Sequence, residues 1–192
     1  MSNFARFLIG PHRRIGRIIR YATRLRLLNE SVAEHTFYVV FYSLILSQLL
    51  EERKIKVDKI KVVIRAIVHD LDESVSGDVI RVFREKLKDE FETLNYNSMK
   101  YILQDLPDKI KDIYLEEWLK KFDDLEGLIV TIADDISGLV YCKEQLDLGN
   151  KAFRPIYDSY LQGILRKIRE SSLSFLEEDI KNLEKETFID NQ

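Results

Sequence analysis

The 192-residue chain has little of what many folds require. It carries one cysteine, Cys142, so no internal disulfide can form, and a reducing, cytoplasmic setting is expected. Only three prolines and seven glycines are present, too few to punctuate an all-β sandwich or barrel. The longest apolar stretch, Phe37 to Leu50, is broken by Ser43, Ser47 and Gln48 and falls short of the roughly 20 residues a membrane span needs. No secretory h-region stands at the N-terminus. Histidine is scarce as well: His12, His35 and His69 are all there are.

What is present is ordinary for a folded domain in apolar content, 45%, and high in charge, 33%. A chain this long can bury roughly 70% of its unfolded surface without staples. The net charge of −3 is unevenly spread: residues 1–29 hold seven arginines and no Lys, Asp or Glu, which leaves −10 for the other 163 residues. A basic head can address nucleic acid, an anionic membrane, a targeting receptor or one phosphate group. Ile15, Ile18, Ile19, Ala22 and Leu25 repeat with helical spacing, so the head is expected to be an amphipathic helix. No nucleic-acid-binding motif and no membrane anchor accompanies it, so neither partner is expected.

The rest reads as helices. Ser31-Val32-Ala33-Glu34 fits a capping box that opens a buried helix to about Glu52. Asp58 caps a helix through Ile60, Val63, Ile64, Ile67 and Val68, and a turn follows at Ser76-Gly77-Asp78. Further helices are expected over Lys86–Asp105, Ile110–Phe122 and Leu125–Leu148, the last closed by Gly149, and one or two more within Pro155–Lys185. The expectation is an all-α, single-domain bundle of six to eight helices spanning 1–192, with a motif-bearing core of about 20–150 and a C-terminal helical extension, 155–188.

Five residues stand out chemically. His35 sits one turn into the central helix, and His69-Asp70 ends the next. Asp134 and Asp135 lie among Ile129, Ile132, Ala133, Ile136 and Leu139. A carboxylate inside an apolar helix is costly unless paired, hydrogen-bonded or bound to metal. Two histidines and acidic residues from three helices suggest one divalent metal site between them. Imidazole and carboxylate together suit Mn²⁺, Fe²⁺, Co²⁺ or Zn²⁺ better than Ca²⁺. Spacing leaves the choice between Asp134 and Asp135 open, with an ion pair the favoured reading of Asp135. His12, after Pro11, is read as a surface residue.

The run Glu30-Ser31-Val32-Ala33-Glu34-His35, then His69-Asp70-Leu71-Asp72-Glu73, Ser76-Gly77-Asp78 and Ile132-Ala133-Asp134, resembles the HD-domain phosphohydrolases and, within them, the YfbR-like 5'-deoxynucleotidase branch. The resemblance covers about Arg20 to Asn150. It implies metal ligands His35, His69, Asp70 and Asp134, a glutamate beside the metal at Glu73, a sugar contact at Asp78, and an Arg-aromatic pair at Arg20-Tyr21. The chain departs from the family in having Tyr21 where the better-known members carry tryptophan. A second departure is Val79-Ile80-Arg81-Val82-Phe83-Arg84, which replaces a Pro-rich stretch at the pocket rim. A homodimer and release of phosphate from (deoxy)nucleoside 5'-monophosphates are implied with it. The alternatives are a dNTP triphosphohydrolase, a cyclic phosphodiesterase, a nucleotide-analogue phosphatase, or a helical module that binds a nucleotide without turning it over.

Overall fold

The computed structural model describes residues 3–79 and 86–188. Among them the fold is all-α, with six helices of ten or more residues and an isolated bridge, Ile19 to Ser31, as the sole extended pairing. The long elements are α2 (Val32–Glu52), α3 (Lys59–Val68), α5 (Lys88–Leu103), α6 (Asp108–Leu119), α7 (Asp124–Asp147) and α8 (Arg154–Arg169). Short helices α1 (Phe4–Leu8), α4 (Glu73–Ser76) and α9 (Glu177–Asn182) fill the connections. No described helix is long and apolar enough to cross a membrane.

Local chemistry fixes the helix ends. At α2 the capping box is complete: the Glu34 N–H donates to Ser31 Oγ at 3.2 Å, and the Ser31 N–H donates to Glu34 Oε2 at 2.7 Å. Asp58 accepts from the Lys61 N–H at α3. α7 closes in a Schellman motif: Gly149, at φ +92°, donates to the Leu146 carbonyl and Asn150 to the Gln145 carbonyl, so orphan carbonyls of the last turn are satisfied.

α7 is the axis of the core. α2, α3 and α8 pack on it through Val39, Leu46, Leu50, Val62, Ala66, Ile129, Ile132, Leu139, Tyr157, Ile164 and Ile168. A second cluster, including Met99, Ile102, Leu103 and Trp118, seats α5 and α6 behind Val68. α8 therefore shares the main core rather than trailing from it.

Three expectations need correction, and one helix face is set by a buried charge. The head is not an amphipathic helix. Pro11–Arg17 form a 3-10 helix, and beyond it the backbone bonds across the chain: Arg20 donates to the Glu30 carbonyl and Val32 to the Ile18 carbonyl. These tertiary bonds use groups that an α-helix would need for its own ladder, and Tyr21, at φ +55°, turns the chain into the left-handed region. In α3 the inward face is Val62, Arg65, Ala66 and Val68, while Ile60 and Ile67 face out. Arg65 can be buried because its guanidinium meets Glu117 at 2.7 Å and Asp124 at 2.6 Å. α2 is apolar on both sides but not enclosed, since Phe37, Phe41 and Ile45 form an exposed stripe. His12 is half-buried, its ring stacked on Phe7 at 4.7 Å, instead of a surface residue.

Candidate metal centre and substrate cavity

Three helices deliver the buried polar cluster. His35 lies in the first turn of α2, pinned by the capping box. His69 caps the end of α3, where Lys121 donates to its carbonyl, and Trp118 Nε1–H holds the neighbouring Asp72 at 3.0 Å. Asp134 comes from the middle of α7. The two imidazoles are fully buried. Their Nε2 atoms stand 3.3 Å apart, with Asp134 Oδ1 3.0 Å from His35 Nε2 and Asp70 Oδ2 3.2 Å from His69 Nε2. His35, His69 and Asp70 offer ligand atoms that all lie within 4.8 Å of one another. Sequence spacing left Asp134 and Asp135 tied. Here Asp134 turns to the histidines, while Asp135 forms an ion pair with Lys167 of α8.

The outer nitrogens show whether a cation fits. His69 Nδ1 lies 2.8 Å from the Ala66 carbonyl, which can only accept. Nδ1 therefore carries the proton, and in the neutral ring the Nε2 lone pair faces the cluster. His35 Nδ1 lies 2.8 Å from Ser137 Oγ and 2.8 Å from Arg20 Nη1; a guanidinium can only donate, so this nitrogen accepts and the neutral ring carries its proton on Nε2, 3.0 Å from Asp134 Oδ1. The two Nε2 atoms and two carboxylates would be the donor set for a cation that takes the place of the His35 proton between them.

The electrostatics agree with a poised cluster. Burial, then the nearby Arg20 charge, depress His35 to about 4. Burial also works against charging His69, but the Asp70 carboxylate outweighs it and raises this ring. Asp70 and Asp134 would be raised by burial, yet the adjacent imidazoles win and hold both below the ordinary carboxylate value.

Asp70 and Asp134 of the cluster form the floor of a cavity of about 990 Å³, with the two imidazoles buried beneath them. Of the residues singled out from sequence, Arg20, Tyr21, Asp70, Glu73, Asp78 and Asp134 line it. Arg20 is buried and donates to Glu30 Oε2 at 2.7 Å. The Tyr21 ring lies flat on Tyr141 at 5.4 Å and meets Phe153 edge-on, and its hydroxyl bonds to that of Tyr160 at 2.9 Å. Asp78 Oδ2 accepts from the Tyr21 N–H at 2.9 Å, which secures the left-handed turn there. Beyond Val79 the altered rim stretch, 80–85, lies outside the described residues.

Sequence reasoning missed the opposite wall. Ile156, Ser159, Tyr160, Gly163, Arg166 and Lys167 of α8 all face the cavity. The available signal was Gly138, a helix-breaking residue in the middle of α7. A Cβ there would sit 2.5 Å from Tyr160 Cζ, so the glycine marks the close approach of α8.

An all-helical domain holding a His-His-Asp-Asp cluster under an open cavity defines a class of metal-dependent hydrolase sites. A family model, 5'-deoxynucleotidase YfbR-like, matches residues 8–183. The chain is 33% identical over 137 residues to the 4'-phosphooxetanocin A phosphatase of Priestia megaterium, 68% of each chain. It is similar in fold to an HD-domain phosphohydrolase from Listeria innocua, with a TM-score of 0.74, 23% identity, and 94% and 85% of the two chains covered. A conserved hypothetical protein from Pyrococcus furiosus superposes with a TM-score of 0.76 at 23% identity, covering 92% and 98%. The chain belongs to the YfbR-like 5'-deoxynucleotidase family and is a metal-dependent phosphohydrolase of the HD-domain fold.

Proposed function

We propose that this phosphohydrolase is a 5'-nucleotidase that releases phosphate from (deoxy)nucleoside 5'-monophosphates. The observation that carries the reading is the convergence of two imidazole Nε2 atoms and two carboxylates at the floor of a nucleotide-sized cavity. His35, His69, Asp70 and Asp134 would hold one divalent ion, Co²⁺, Mn²⁺, Fe²⁺ or Zn²⁺. When bound, such an ion supplies Lewis acidity and a water of lowered pKa. Glu73 opens α4 almost fully buried at the cavity wall, placed to orient that water or to protonate the leaving 5'-oxygen. Asp78 serves a sugar hydroxyl, and the Arg20–Tyr21 pair walls the sugar and phosphate side. The two tyrosine hydroxyls there are compatible with ribose as well as deoxyribose.

The chain is proposed to act as one domain, in the cytoplasm, as a homodimer. The exposed Phe37, Phe41 and Ile45 stripe on α2 supports pairing. The test is phosphate release by purified protein with Mn²⁺ or Co²⁺ from a panel of dNMPs, NMPs, dNTPs and cyclic nucleotides. Monophosphates should be turned over, EDTA should abolish release, and His69→Ala should lose both activity and bound metal. Full activity in His69→Ala, or in the metal-free protein, refutes the site. Exclusive turnover of triphosphates or cyclic esters refutes the substrate class.

A further inference from the structure

The cavity floor is acidic, yet a phosphate monoester reaches it as a dianion. Asp70, Glu73, Asp78, Asp134 and Asp135 all line it. Cations must offset them where the phosphoryl group lies. Two of the obvious ones have carboxylate partners. Arg20 is held by Glu30 at 2.7 Å, and Lys167 is held by Asp135. Arg166 also lines the cavity, is exposed to it, and makes no ion pair among the described residues.

Helix geometry places Arg166 at the correct end. α7 and α8 run antiparallel: Gly138 of α7 faces Tyr160, and Asp135, one turn earlier, pairs with Lys167, two turns later. Arg166 therefore stands level with Asp134, at the metal end. Among the described residues the other cavity arginine without an ion pair, Arg24, follows the Tyr21 turn, whose ring contacts Tyr141 and Phe153. That is the Ile156 end of α8, ten residues or about 15 Å of helix rise from Arg166. The two arginines thus serve different ends of the cavity.

We propose that Arg166 binds the substrate's phosphoryl oxygens at the metal end. This assignment rests on the phosphomonoesterase reading above. A guanidinium presents two parallel N–H groups that match two phosphoryl oxygens, which a lysine ammonium cannot do in the same plane. Its place on a helix shared with Tyr160 couples phosphate capture to the wall that bounds the sugar.

The test uses the full-length, Mn²⁺-loaded protein and inorganic phosphate as the probe, with affinity measured by titration calorimetry and as competitive inhibition. Arg166→Gln should weaken phosphate binding by about 10- to 100-fold, the loss expected for hydrogen bonds to a charged group. Arg166→Lys should recover part of it. Arg169→Gln, on the same helix but paired with Glu177, should bind as wild type. Metal content, read by elemental analysis, should be unchanged in all three. Wild-type affinity in Arg166→Gln overturns the assignment. So does an equal loss in Arg24→Gln, because a diffuse field rather than a seat would then be responsible. Wild-type protein that neither binds phosphate nor hydrolyses a monoester refutes the phosphatase reading itself. Wild-type turnover with intact phosphate binding in Arg166→Gln refutes only the role of Arg166.

Discussion

Replacing Gly138 with alanine should destabilise the protein although it improves the helix. Glycine in a helix interior costs about 1 kcal/mol relative to alanine, so propensity alone favours the change. The obstacle is Tyr160: a Cβ at position 138 would lie 2.5 Å from its Cζ and 2.8 Å from both Cε1 and the hydroxyl oxygen. The ring is not free to swing away, because its hydroxyl is bonded to Tyr21 at 2.9 Å. Losing that bond costs about 1 kcal/mol, and over-packing adds about 1–3 kcal/mol. Against the gain in propensity, the net loss should be about 1–3 kcal/mol, which lowers the melting temperature by about 2–12 °C in a chain of this size. The decisive comparison is a double-mutant cycle with Tyr160→Leu, which lacks the clashing atoms. In that background Gly138→Ala should stabilise by about 0.5–1 kcal/mol. Urea unfolding of the four proteins, followed by circular dichroism, measures both effects. Equal destabilisation in the two backgrounds would show that the glycine serves something other than the approach of Tyr160.

Two further predictions test the interior around the site. Arg20→Ala strands Glu30, 8% exposed, without its partner, and breaking such a pair should cost about 3–5 kcal/mol. Burial already raises the Glu30 carboxyl, and removing Arg20 raises it further. A carboxyl whose folded pKa exceeds its unfolded one favours folding at low pH and loses that contribution as pH rises, so the deficit of Arg20→Ala should be larger at pH 8 than at pH 5.5 in denaturant titrations. A deficit independent of pH would refute the stranded-carboxylate account. Cys142 is fully buried and its thiol is pushed up to about 12 by burial, so the native protein should not react with a thiol-specific disulfide reagent at pH 8, while one equivalent reacts in urea. Prompt reaction in the native state would contradict the packing of α7 against Tyr21.

What was legible in the sequence was whatever local chemistry decides. The capping box at Ser31–Glu34, the Asp58 cap and the Gly149 terminus each depend on residues within a few positions, and each appears where expected. The head failed because its isoleucine spacing was read without knowing where its backbone bonds go. Glu30 and Ile18 supply carbonyl partners across the chain, and no periodicity count reports that. The inward face of α3 was not legible for a related reason: Arg65 counts as polar in sequence, yet Glu117 and Asp124 let it lie inside. The cluster of His35, His69, Asp70 and Asp134 was legible through its motif. The α8 wall carries no motif, and its residues join the cavity only through antiparallel packing on α7.

These differences divide the site into two parts built by different physics. The floor rests on α2, α3 and α7, whose ends are closed by side-chain caps or a Schellman turn, and its histidines are fully buried and braced by Ser137, the Ala66 carbonyl and Lys121. Such a frame can hold ligand atoms to within a few tenths of an ångström. The walls consist of an irregular turn at Tyr21, held by the Asp78 carboxylate on its N–H and by Arg26 and the Arg24 N–H on its carbonyl, and one face of α8. A substitution in the walls can reshape the cavity without disturbing the floor, whereas a floor substitution removes the donor set. The chemistry should therefore be robust to changes at Tyr21 and Tyr160, and substrate preference should not be. The Tyr21–Tyr160 hydroxyl bond is the seam between the two walls. Cutting it with Tyr160→Phe leaves every proposed metal ligand in place, so it should change the ratio of ribo- to deoxyribonucleotide turnover more than the metal content.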